Sequence, residues 1–109
     1  MQIRMTPTHV RLLAMSHPDI PIGFSDWLME NFPIWERFEQ EALLVARSGR
    51  EHYSAYTIRE FIRHETALSE ANSEFKFNNN HTPHLARLFA MAHPQYAELF
   101  AFKPVRRVA

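Results

Sequence analysis

Amide, imidazole and guanidinium side chains are concentrated around residues 76–107, where their types and spacing suit contacts with nucleic acid. Amides and imidazoles can read base edges, and arginines and lysines can hold phosphates. The side chains expected to form such a surface are Arg59, Arg63, Lys76, Asn79, Asn80, His84, Arg87, Arg106 and Arg107. The sequence thus predicts binding of DNA, as a duplex or a single strand, on the face of a helix at 82–93.

A protein partner is the alternative, because methionine, tyrosine and arginine are used heavily at protein interfaces. The chain offers such side chains at Arg11, Met15, Tyr53, Tyr56, Arg87, Met91 and Tyr96. The same residues can equally belong to a core and its rim. On the sequence alone, the two binding interpretations stay open.

Motifs for catalysis are absent from the sequence. It has no cysteine, no glycine-rich phosphate loop and no serine flanked by glycines, so nucleophilic and nucleotide-dependent chemistry lack support. His81 and His84 are three residues apart, but His81 precedes the predicted helix, and the two rings need not converge on a metal. We therefore expect a protein that is not an enzyme and that holds no metal or other cofactor.

The net charge is zero, but the charges are unevenly distributed. Residues 1–75 contain eleven acidic and seven basic side chains, whereas residues 76–109 contain one acidic and five basic side chains. A basic face is compatible with that distribution, while the neutral total predicts weak non-specific binding to nucleic acid. Nine Phe, three Tyr and two Trp on a neutral chain also predict self-association, most simply as a homodimer.

The helix at 82–93 is expected to begin and end sharply. Thr82 is a suitable N-cap and Pro83 a suitable first helical residue, while Pro94 cannot continue the helix. Its apolar positions at helical spacing are Leu85, Leu88, Phe89 and Ala92. These positions predict one buried stripe, with His84 and Arg87 on a neighbouring face.

A second part of the chain resembles this one. The segment TPTHVRLLAMSHP (6–18) matches TPHLARLFAMAHP (82–94) at eight of thirteen positions, and we name them the first and second Thr-Pro segments. Thr-Pro starts and His-Pro ends are common local signals, so the match can be coincidental. The alternative is a pair of like helices that lie side by side, each with an arginine and a methionine four residues apart.

Capping signals predict three further helices. Ser25 is expected to cap a short one, Pro33 to begin a long one that ends near Ser48 at the left-handed Gly49, and Ser54 to cap one at about 55–68. The side chains expected to face inward are Ile34, Trp35, Phe38, Ala42 and Val45 in the long helix, and Ile58, Phe61, Ile62 and Leu68 in the next. Tyr56, Arg59 and Arg63 are expected to form an outward strip.

Together these patterns predict a small all-α orthogonal bundle of five or six helices in one domain, residues 1–109. It would comprise an N-terminal helix and link (1–23), a helical core (24–102) and a basic tail (103–109). At most a short β element near 75–77 is expected, which would make the fold winged-helix-like at best. No run approaches the roughly 18 apolar residues of a membrane span and no signal peptide is evident, so we expect a cytoplasmic protein without membrane contact.

The chain contains an FK[IF]NNN segment (75–80), an ARL[FL] helix (86–89), the His93-Pro94 break and a closing aromatic at Phe100. In these features the sequence resembles a family of small uncharacterised phage and prophage proteins. The resemblance covers roughly residues 24–107. It implies a compact accessory domain of phage type, and hence a host cytoplasm and a host or phage protein as the alternative partner, but it implies no known activity.

Overall fold

Five α-helices and one 3₁₀ turn make up the part of the chain that the computed structural model describes, residues 5–69 and 81–100. The helices are α1 (Pro7–Ser16), α2 (Ile22–Glu30), α3 (Phe32–Arg47), α4 (Ala55–Ser69) and α5 (Thr82–Ala92), and the 3₁₀ turn is Pro94–Tyr96. The predicted all-α fold is therefore confirmed. None of the helices within the described ranges is long and apolar enough to cross a membrane.

Local signals set several helix boundaries as predicted. Thr6 caps α1, because its hydroxyl accepts a hydrogen bond from the His9 N–H at 3.2 Å. The corner before Pro33 begins α3 directly after α2. Beyond the end of α3, Gly49 has a φ of +92°, a left-handed conformation that glycine adopts without steric cost.

The core lies where α5 packs against α1, α3 and α4. Leu85, Leu88 and Phe89 of α5 are buried completely. Phe38 of α3 is also buried, and its ring and that of Phe89 lie 5.6 and 5.5 Å from the ring of Phe100. Burying each such side chain contributes roughly 1.5–3 kcal/mol, so α5 is held mainly by its apolar stripe.

One backbone contact ties the segment before α4 to the segment after α5. Tyr53 and Phe100 form an isolated parallel β-bridge, in which the Tyr53 N–H donates to the Leu99 carbonyl at 2.8 Å. Residues 75–77, where a short β element was predicted, lie outside the described residues. The bridge places residues 53 and 100 side by side, near the beginning of α5.

Two of the predicted helix caps are wrong. Ser25 does not cap α2, because the helix begins at Ile22 and Ser25 lies within it. The Ser25 side chain is buried. Thr82 does not cap α5, because the cap position is His81 and the Thr82 side chain is completely buried. The buried side of α4 also differs from the predicted one.

The inward side of α4 comprises Ala55, Ile58, Arg59 and Ile62. Ile58 and Ile62 point inward as predicted, whereas Phe61 is 47% exposed and Arg59 only 7%. Phe61 lies at the edge of the stripe, where the Arg37 guanidinium covers its ring at 5.4 Å from the centroid. The side chain of Leu68 lies outside the part of the chain that is described.

Candidate nucleic-acid interface

A groove of about 780 Å³ opens between the beginning of α4 and the beginning of α5. Its described lining comes from three places: the segment before α4, the first turn of α4, and one side of α5 with Phe100. The residues are Arg50, His52, Tyr53, Ser54, Ala55, Tyr56, Thr57, Pro83, Ala86, Arg87 and Phe100. This described lining contains two arginines, one histidine and two tyrosines but no carboxylate, so the groove is basic and aromatic.

The two groove arginines differ from most arginines elsewhere in the described ranges. Arg11, Arg37, Arg59 and Arg63 each lie within 4.0 Å of a carboxylate oxygen. For Arg50 and Arg87 the described residues provide no such carboxylate. An arginine without a carboxylate partner retains its capacity for two parallel hydrogen bonds to a phosphate or carboxylate.

Each groove arginine is positioned by a neighbouring ring. The Arg50 guanidinium lies over the Tyr53 ring, 5.4 Å from its centroid. Arg87 Nη1 lies 3.1 Å from His84 Nδ1, one helical turn earlier on α5. Because Arg87 is always a donor, the Nδ1 of His84 must be the acceptor, which requires the neutral ring at that contact.

Burial lowers the pKa of His84 below its usual value, and the positive charges of Arg87, His81 and His17 lower it further. The edge of the His84 ring also meets Phe24, with the ring centroids 5.3 Å apart. His84 is therefore neutral at physiological pH and sits between the groove arginine and α2. In this position it orients Arg87.

His81 belongs to a stacked set of rings beside the groove. Its ring lies parallel to that of Trp27 with 4.1 Å between the centroids, and Trp27 in turn stacks on Phe24 at 5.5 Å. Burial lowers the pKa of His81 as well. We call Phe24, Trp27, His81 and His84 the aromatic–histidine cluster.

Helix α5 does not protrude from the bundle. Every residue from Thr82 to Ala92 is buried or half-buried, because α5 packs against three other helices. A recognition helix of a helix-turn-helix protein lies in the major groove and needs an exposed face with side chains that reach base edges. Of the predicted α5 face, the structure brings Arg87 into the lining of a concave groove, while the ring of His84 meets that of Phe24.

The other predicted site residues are divided between the described and undescribed parts of the chain. Arg59 was expected to face outward, and this is wrong: its side chain is 8% exposed and pairs with Glu60. A guanidinium buried in this way is not accessible to a phosphate. Arg63 is 63% exposed and lies 4.0 Å from Glu60. The side chains outside the described residues are those of Lys76, Asn79, Asn80, Arg106 and Arg107.

Sequence reasoning missed Arg50 and His52 as site residues, and named Tyr53 and Tyr56 only as possible partner contacts. Arg50 follows the Gly49 turn, so it has no helical periodicity that would place it on a face. It joins Arg87 only because the Tyr53–Phe100 bridge fixes the segment before α4 against the segment after α5. A contact between residues this far apart in sequence leaves no local signal.

Within the residues that the structure describes, no three histidine, aspartate or glutamate side chains converge in a way that could hold a metal ion. No family model matches the chain, and no curated protein or solved structure shows significant similarity to it. The resemblance to small phage proteins therefore stays a prediction, and the groove is the feature of the structure that bears on function.

Proposed function

We propose that this protein is a small accessory protein that binds nucleic acid in the groove between α4 and α5. One observation carries the proposal: Arg50 and Arg87 lie in one concave surface with Tyr53 and Tyr56, and the described lining contains no carboxylate. Arginines hold phosphates, and tyrosines contact sugars and bases. The proposal keeps the predicted role of Arg87 and adds Arg50, which the sequence did not indicate.

The local electrostatics support binding of an anion. The first turn of α4, which begins at Ala55 and includes Tyr56 and Thr57, borders the groove and carries no acidic side chain, so the positive end of this helix is not neutralised from within the turn. Arg50 also borders a smaller depression whose lining includes Glu51 and Glu98. These two carboxylates limit the positive potential on that side and favour a path for the ligand toward Arg87.

Residues outside the described ranges are expected from the sequence to extend the proposed surface. Phe100 lines the groove, and Arg106 and Arg107 follow it by six and seven residues in the sequence. Replacing both arginines should weaken binding to all sequences and reduce the salt dependence by about two phosphate contacts. Replacing Asn80 should instead change the sequence preference, because an amide can read a base edge. Lys76 and Asn79 are expected to add to the same surface.

The proposal predicts strong dependence on salt. With roughly four to six phosphate contacts, affinity should fall on the order of a hundredfold between about 50 and 200 mM salt. The test is fluorescence anisotropy with labelled oligonucleotides, comparing the parent with Arg50→Gln, Arg87→Gln and Arg11→Gln. Arg11 occupies the position in the first Thr-Pro segment that Arg87 occupies in the second, so it is a matched control for the loss of one positive charge.

We expect Arg50→Gln and Arg87→Gln each to reduce affinity and to lower the slope of log K against log salt by roughly 0.7–0.9. Arg11→Gln should leave both quantities unchanged. Equal losses for all three variants would mean that only net charge matters and that the groove is not the site. No binding of any oligonucleotide at about 50 mM salt would reject the proposal altogether.

A protein partner is the second candidate function, and three exposed apolar side chains favour it. Leu12, Met15 and Ile22 are 60, 54 and 81% exposed, and Leu12 and Met15 lie three residues apart on one face of α1. The test is retention of a host protein on the immobilised chain after nuclease treatment, with Leu12→Glu as the variant that should abolish it. Light scattering at high protein concentration tests the proposed homodimer in the same preparation.

A further inference from the structure

We infer that the groove takes single-stranded nucleic acid, with a base against the ring of Tyr56 and neighbouring phosphates on Arg50 and Arg87. This inference rests on the proposed function and specifies the form of nucleic acid that the same site accepts. It also specifies the mode of contact: a strand enters the protein, and no helix of the protein enters a duplex.

The burial of α5 favours a single strand over a duplex. Arg87 and Ala86 line the groove from a helix on which no residue is fully exposed. The side chain that would hold a phosphate is therefore half-buried in a concave surface and does not project from a convex one. A duplex is a convex, stiff ligand with its bases stacked inside it, so it would meet the rim of this groove before its backbone reached Arg87.

The two tyrosines differ in a way that identifies the stacking surface. One face of Tyr53 is already occupied, because the Arg50 guanidinium lies over its ring. Tyr56 is 50% exposed, and within the described part of the chain its ring contacts no other aromatic or cationic side chain. An exposed ring beside two phosphate-binding groups is the arrangement by which proteins hold unpaired bases. In a duplex the base faces are covered by their neighbours and are not available to such a ring.

The size of the groove agrees with this mode of binding. A volume of about 780 Å³ falls within the range of roughly 300–1,000 Å³ that is typical of sites for small organic ligands. It can accept one or two splayed nucleotides. The groove lining also contains Ser54 and Thr57, whose hydroxyls can donate to or accept from any base edge and so favour no particular base.

The experiment compares three labelled ligands of about ten nucleotides, a length typical of single-strand sites. They are a mixed-sequence single strand, the same strand annealed to its complement, and an abasic strand that retains every phosphate. The protein variants are Tyr56→Leu, Tyr56→Phe and Phe61→Leu. Phe61 is on the same helix and is 47% exposed, which makes it a matched control for the loss of an exposed ring outside the groove.

We expect the single strand to bind at least about tenfold more tightly than the duplex and the abasic strand, since stacking of one base on an aromatic ring accounts for a factor of that order. Tyr56→Leu should lose that advantage, while Tyr56→Phe and Phe61→Leu should keep it. Thermal melting of each variant checks that it folds.

The outcomes separate this inference from the proposed function. Tight binding of the duplex, or of the abasic strand, together with a loss of affinity in Arg50→Gln and Arg87→Gln, would overturn the single-strand inference and leave the proposed function standing. Equal behaviour of Tyr56→Leu and Phe61→Leu would likewise show that Tyr56 holds no base. Failure of all three ligands to bind would reject both.

Discussion

The two Thr-Pro segments have similar sequences, but their side chains lie in very different environments. Leu12 and Leu88 occupy equivalent positions, yet Leu12 is 60% exposed and Leu88 is completely buried. The first segment forms α1, which packs against α2 and α5, and the second forms α5, which lies against α1, α3 and α4. The two like helices thus lie side by side, and the number of neighbouring helices decides which positions become core.

The equivalent polar residues of the two segments also make different contacts. Arg11 lies 3.9 Å from Asp26 on the surface, while Arg87 lies 3.1 Å from His84 in the groove. At the helix ends, His17 Nδ1 accepts the Asp19 N–H at 3.0 Å, a local turn contact, whereas His93 Nε2 reaches Glu39 Oε2 of α3 at 2.8 Å. At the helix ends, the contact of the first segment is therefore local, whereas that of the second joins α5 to α3.

Replacing the equivalent leucines should give the largest difference between the segments. Leu88→Ala should reduce the free energy of unfolding by about 2–5 kcal/mol, because it leaves a cavity at a fully buried position. Leu12→Ala should change it by less than about 0.5 kcal/mol. Urea unfolding at neutral pH measures both. Similar losses at the two positions would mean that the Leu12 side chain is covered in solution, for instance by a second copy of the chain.

Replacing the equivalent threonines by valine should lower the stability at one position only. Thr6→Val should lower stability by about 0.5–2 kcal/mol, since valine cannot accept the His9 N–H. Thr82→Val should leave stability unchanged or raise it, because the Thr82 hydroxyl is buried and has no hydrogen-bond partner among the described residues. Thermal melting gives the sign of each effect. If Thr82→Val were as destabilising as Thr6→Val, the hydroxyl of Thr82 would have to cap α5 after all.

The contrast also explains how far the sequence alone can predict this fold. Helix boundaries at Thr6, Pro33 and Gly49 follow from interactions within a few residues, so they could be read from capping and proline signals. Thr82 carries the same Thr-Pro signal as Thr6, but packing buries it. The threonine that begins a helix is thus predictable from local chemistry, while its exposure depends on contacts that only the folded chain defines.

The candidate site was less predictable than the fold. The helical periodicity of the sequence indicated two of the site residues. It placed Arg87 beside the apolar stripe of α5 and Tyr56 on an outward strip of α4. Arg50 carried no such signal, since its place in the groove depends on the Tyr53–Phe100 bridge. The prediction for Arg59 was wrong because the inward side of α4 includes position 59 and leaves position 61 at its edge. An arginine tolerates this position by pairing with Glu60.

The equivalent arginines should differ by a smaller amount in stability. Arg87→Ala should cost on the order of 1 kcal/mol, a shift of roughly 4–8 °C in the melting temperature, because it removes the hydrogen bond to half-buried His84. Arg11→Ala should cost less than about 0.5 kcal/mol, as expected of an exposed ion pair. If Arg87→Ala melts like the parent and only loses nucleic-acid binding, Arg87 serves the ligand and not the fold.

The smallest difference at neutral pH concerns the histidines, and it should grow as the solution is acidified. Burial lowers the pKa of both His81 and His84 in the folded state, so between those values and the unfolded value of about 6.5 the unfolded chain binds more protons. Stability should therefore be fully present above about pH 6.5 and fall as the pH is lowered through that window. Glu65, whose pKa is lowered by its hydrogen bonds from Arg37, would add a loss only at more acidic pH.

Urea unfolding between about pH 7.5 and 5 measures this slope. The double variant His81→Gln, His84→Gln should flatten it, because glutamine does not titrate and cannot acquire the buried charge. His9→Gln, at an exposed position of the first Thr-Pro segment, is the control for replacing a histidine outside the aromatic–histidine cluster. A parental slope in the double variant would mean that the aromatic–histidine cluster admits the charged rings without penalty. The burial of α5 would then have no measurable effect on the protonation of the two histidines near its beginning.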